Sequence, residues 1–110
     1  MKMYLDTANF EAVLRLDEKE YRFDEGKEMA EKLLGFIHEK LKENGKDFKD
    51  LSEITFFSGP GSFTGLRIGA AIVNTLADQL QIPLYNHKGE KVKVIIPDYG
   101  RAANISKPKK

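Results

Sequence analysis

The sequence predicts one α/β domain in which a three-stranded meander precedes two helices and two further strands. Three observations carry this reading. Phe10, Ala12, Leu14 and Leu16 alternate with other residues, the period of a strand with one buried face. Over residues 27–43 and again over 65–80 the apolar period becomes helical. Between them, Ile54-Thr55-Phe56-Phe57 has the short, aromatic and β-branched composition of a buried central strand.

Composition sets the bounds. A chain of 110 residues builds a single modest core and not two. Its 41% hydrophobic and 32% charged residues are those of an ordinary globular protein. No apolar run approaches the roughly 18 residues of a membrane span, and Asp6 arrives too early for a signal peptide. The absence of cysteine excludes disulfides and thiolate metal sites and fits a reducing cytoplasm. The last ten residues carry Arg101, Lys107, Lys109 and Lys110 without an acid, so the preceding hundred are net acidic.

Taken in order, residues 2–6 predict a first strand, 10–16 a second, and the short piece around Tyr21 and Phe23 a third. In the first helix Met29, Leu33, Phe36, Ile37 and Leu41 share a side that Ala30 and Leu34 widen to about 160°. Asn44-Gly45 ends it, because glycine enters the left-handed conformation without penalty. In the second helix Leu66, Ala70, Val73, Ala77 and Leu80, flanked by Ile68, Gly69, Ile72 and Leu76, cover about 200°. Leu84 to His87 reads as a fifth strand and Lys91 to Ile96 as a last one, stopped by Pro97. The division expected is a domain over 1–97 and a basic, irregular tail over 98–110. The order β-β-β-α-β-α-β is that of a single ribonuclease-H-like or actin-like half-domain, a mixed sheet with two main helices.

The segment Ser58-Gly59-Pro60-Gly61-Ser62-Phe63-Thr64-Gly65, followed by Leu66 and Arg67, is the most unusual stretch. Its glycines and proline force a tight turn between strand and helix, where Ser62 or Thr64 can cap the helix. Free N–H groups at a helix start also hold anions, so a nucleotide-binding loop is the competing reading. The Gly-Lys-Ser/Thr ending of a Walker loop is absent. Asp6 and Thr7, at the end of the first strand, read either as a hydrogen-bonded turn or as a vestigial phosphate or metal turn. His38 sits on a polar helix face without a second nitrogen ligand near it, and no base is evident for Ser58 or Ser62. No metal, cofactor or catalytic residue is therefore expected.

An arc of about 200° is roughly twice what a helix on a sheet needs, and so short a chain has little to cover both flanks. The expected partner-binding residues are Met29, Leu33, Phe36 and Ile37 on the first helix. On the second they are Gly65, Leu66, Gly69, Ala70, Ile72, Val73 and Leu76, with Gly65, Gly69 and Ala70 admitting a close helix approach.

The run from Ser58 to Gly69 resembles the signature of the TsaB (YeaZ) family. Leu5-Asp6-Thr7-Ala8, Glu31-Lys32-Leu33-Leu34 and Ile82-Pro83-Leu84 are similar to that family's opening strand, first helix and post-helix strand, so the likeness covers residues 1–85. Pro97-Asp98-Tyr99 and Ala103 to Lys109 are similar to the carboxyl tail of some members. The resemblance implies a non-catalytic, cytoplasmic scaffold in the synthesis of threonylcarbamoyladenosine in tRNA. It would pair through its two helices with the catalytic subunit TsaD, with TsaE joining the pair. It also implies a homodimer when alone, and the basic tail offers a contact to tRNA. Three departures accompany the likeness. Most of the family's second domain is missing, Thr7-Ala8-Asn9 lacks the glycine of a working phosphate loop, and Met29 stands where many relatives carry histidine.

Overall fold

The computed structural model describes residues 1–9, 11–24 and 28–98. Strands β1 (Lys2–Asp6), β2 (Ala12–Leu16) and β3 (Lys19–Phe23) form the antiparallel meander. Helix α1 (Met29–Glu43) leads through a short 3-10 turn at Phe48–Asp50 into β4 (Glu53–Phe56), which lies parallel to β1. Helix α2 (Phe63–Leu80) then returns the chain to β5 (Leu84–Asn86), parallel to β4, and β6 (Lys91–Val92) closes antiparallel on β5. The six-stranded order is β3-β2-β1-β4-β5-β6.

Register explains the single core. Leu5 pairs with Leu14 and Phe56, and Met3 pairs with Leu16 and Ile54, so apolar side chains line up across strands on one face. Ile54 continues the row to Leu84. Both helices lay their buried stripes into this one cluster: Met29, Leu33, Ile37 and Leu41 from α1, and Leu66, Ala70, Val73 and Ala77 from α2.

Three boundaries differ from expectation for identifiable reasons. Helix α2 begins at Phe63, not Gly65, because the Ser62 hydroxyl accepts the Gly65 N–H at 3.2 Å and caps it there. Strand β5 stops at Asn86, whose side chain accepts from the N–H groups of Lys88 and Glu90 and curls the chain into a turn. The expected strand from Lys91 to Ile96 is only Lys91–Val92, since Ile95 turns away to meet Asn74. Within the described residues α1 begins at Met29 and β2 at Ala12. Phe10, Lys27 and the tail from Tyr99 lie outside them.

Candidate protein-interaction face

The glycine loop is built to admit another part of the same chain. At Gly65 a Cβ would collide with the carbonyl of Thr7, and at Gly69 with the Thr7 hydroxyl and the Phe56 ring. Into that space fits the Asp6-Thr7-Ala8 turn. Thr7, fully buried, donates from Oγ1 to the Gly65 carbonyl at 2.6 Å. The Ser62 N–H donates to Ala8 at 2.7 Å, and the Phe57 N–H donates to Leu5 at 3.0 Å. The loop's amides at Ser62 and Gly65 are thus engaged within the chain. A phosphate cradle needs such N–H groups pointing outward.

Asp6 accepts the Ala8 N–H at 2.9 Å through Oδ1, the geometry of a turn-forming aspartate. Among the described residues no group of three or more histidine or acidic side chains converges as a metal site. Ser58, for which the sequence offered no base, has an imidazole beside it. Its Oγ lies 3.3 Å from Nδ1 of His87, and its own N–H donates to that nitrogen at 3.2 Å. The His87 ring packs against Phe57 with centroids 4.5 Å apart. A nitrogen that accepts a backbone N–H is partly committed to holding the loop, and the pair is solvent-facing, so the geometry is that of a loop brace.

The expected partner residues divide. Met29, Leu33, Ile37, Gly65, Leu66, Gly69, Ala70 and Val73 are buried by the chain's own sheet and turns. Within this chain these side chains face its own core and offer little exposed surface. Phe36, Ile72 and Leu76 are half-buried, and Phe36 packs on Phe23 with ring centroids 4.5 Å apart. What remains outside is one row further round each helix. Leu34 is 45% and Phe63 56% exposed. Ala30, Phe63, Thr64, Arg67, Ile68, Ala71 and Ile72 line an open hollow of about 480 Å³ between the two helices. The Arg67 guanidinium lies over the Phe63 ring at 5.4 Å. Ala30 and Leu34 had marked this margin in the sequence as the residues that widened the α1 stripe.

A meander followed by two helices on one face of a mixed sheet, with β1, β4 and β5 parallel, defines a ribonuclease-H-like or actin-like half-domain. A protein-family model described as "TsaD: tRNA N6-adenosine threonylcarbamoyltransferase" matches residues 25–88, more than half of the chain. YeaZ from Pseudomonas aeruginosa superposes with a TM-score of 0.67 at 29% identity, covering 77% of this chain and 42% of that one. The tRNA threonylcarbamoyladenosine biosynthesis protein TsaB of Bacillus subtilis (strain 168) is 36% identical over 85 residues, 73% of this chain and 37% of its own. TsaB of Buchnera aphidicola subsp. Acyrthosiphon pisum is 40% identical over 52 residues, 47% of this chain and 24% of its own. The chain belongs to the TsaB/YeaZ family. It spans less than half the length of each of these relatives. Among the described residues no helix is long and apolar enough to cross a membrane.

Proposed function

We propose that this chain is a non-catalytic subunit in the synthesis of threonylcarbamoyladenosine in tRNA, docking its α1–α2 shoulder against the catalytic subunit TsaD. The observation that supports this is the open hollow bounded by Ala30, Phe63, Ile68 and Ile72, with Leu34 exposed beside it, in a chain of the TsaB/YeaZ family. A helix pair presenting an apolar margin with one cation fits a helical partner surface that carries apolar knobs and a carboxylate opposite Arg67. In this reading TsaE joins the assembled pair in the cytoplasm, and the basic residues of the tail contribute to holding tRNA.

A nucleotide-binding role for the Ser58 to Gly65 loop is the less favoured reading, because the Ser62 and Gly65 N–H groups already donate within the chain. Self-association would use the same shoulder, so TsaD should dissolve a homodimer. The test is a reconstituted tRNA-modification mixture lacking only TsaB, to which this chain is added. Restored threonylcarbamoyladenosine supports the role, and a mixture that stays inactive while the chain is folded rejects it.

A further inference from the structure

Residues 93–98 leave the sheet after β6 and meet α2 at Asn74. Asn74 lies two turns along α2 from Arg67, which lines the hollow, and is not itself part of that lining. The contact is specific. Asn74 accepts the Ile95 N–H on Oδ1 at 2.7 Å and donates from Nδ2 to the Ile95 carbonyl at 3.2 Å. A carboxamide presents a donor and an acceptor side by side, the same pair that a backbone peptide presents, so this clasp reads main chain and not side chain. Selectivity comes from the side chain of Ile95, which is 4% exposed, while its neighbours Val94 and Ile96 point outward. Three residues on, the Asp98 N–H donates to the Ser58 carbonyl at 2.6 Å. The Asp98 carbonyl occupies the space that a Cβ at Gly59 would need, and Gly59 has φ of +121°.

We propose that this flank of α2 is a seat for an extended apolar segment, read through Asn74, and that residues 93–98 are its resident occupant, a strap that opens and closes. The strap's contacts include the buried Ile95 side chain, the two Asn74 hydrogen bonds and the Asp98 N–H bond to Ser58, and among the described residues no sheet ladder continues past Val92. Segments held this way open at a free energy well below that of global unfolding. The closed strap fixes the Ser58-Gly59 end of the glycine loop, and the open strap uncovers the Asn74 carboxamide and the trough of Ile95. These residues follow the stretch matched by the family model, and neither Asn74 nor residues 93–98 line the proposed docking hollow, so the two ideas rest on different residues.

The test uses the full chain in two steps. In Asn74→Leu, amide exchange at Ile95 and Asp98 should quicken about tenfold or more, the loss of roughly two net hydrogen bonds, while amides of β1 and β4 keep their rates. If the β4 amides quicken in step with those of the strap, the strap is not a separate opening unit and the proposal fails. In Ile95→Asp the strap cannot seat, and a synthetic peptide with the sequence of residues 91–98 should bind saturably to that variant. It should not bind to the parent chain or to Asn74→Leu/Ile95→Asp. Ile95→Gly, which removes the anchor without adding charge, carries the same measurement if Ile95→Asp does not fold. A peptide that ignores a folded, strap-displaced variant, or that binds regardless of Asn74, overturns the assignment.

Discussion

The Thr7 hydroxyl donates to the Gly65 carbonyl at 2.6 Å in a fully buried contact, tying the end of β1 to the first turn of α2. The bond is possible because neither Gly65 nor Gly69 carries a side chain where Thr7 sits. The most conspicuous loop of the sequence therefore serves first to close the chain on itself.

Thr7→Val keeps the shape of the side chain and removes its donor. The expected cost is about 1–2 kcal/mol of folding free energy, with Thr7→Ser losing less because it retains the hydroxyl. Urea unfolding of the three proteins at one pH measures this. Equal midpoints for Thr7→Val and the parent chain would mean that the hydroxyl contributes nothing.

Gly69→Ala is expected to be worse. A methyl there meets the Thr7 hydroxyl and the Phe56 ring, both inside the core, and overpacking of that kind costs about 1–3 kcal/mol or more. The effect should be seen in the thermal midpoint of the isolated chain, before any partner is added. A variant of unchanged midpoint that fails only in partner binding would instead place Gly69 at an interface.

Asp47 accepts from Lys42 at 2.9 Å and from the Phe48 N–H at 2.8 Å, with His38 3.4 Å away. The Lys42 hydrogen bond foremost, then the Phe48 amide, hold its carboxyl below the ordinary value of 3.8. A carboxylate lowered by folding stabilises the protein above its unfolded pKa, and that contribution disappears as pH falls through the folded one. Asp47→Asn should therefore be less stable than the parent near neutrality and converge with it well below pH 3.8. Thermal midpoints across an acid series check this, and a gap that persists unchanged into strong acid would contradict it.

Much of this architecture was readable from local pattern. The alternation over Ala12, Leu14 and Leu16, the helical periods and the Asn44-Gly45 stop needed no distant contact to be interpreted. The extent of the last strand was not readable, because Lys91 to Ile96 has strand composition throughout and only Asn74, 21 residues earlier, draws Ile95 off the sheet. Which margin of each helix stays exposed was not readable for a related reason. An apolar arc shows how much of a helix is greasy and not which part its own sheet will take. Small residues at Gly65 and Gly69 looked made for a foreign helix and are filled by Thr7. Ser58 and His87 are 29 residues apart and meet only because β4 and β5 run parallel with Phe56 opposite Asn86, a register that composition does not reveal.

The central claim is that the hollow between α1 and α2 receives another polypeptide. Ala71 lines that hollow and is solvent-exposed, so Ala71→Asp should cost no more than about 1 kcal/mol, mostly helix propensity. A charge buried without a partner at an interface should nevertheless weaken binding by about 2 kcal/mol, roughly thirtyfold. The decisive measurement is a calorimetric titration of the TsaD from the same organism with the parent chain and with Ala71→Asp, at matched thermal midpoints. The account predicts saturable binding by the parent and a loss of that size in the variant. Identical isotherms for the two chains, or no binding by the parent, would contradict it.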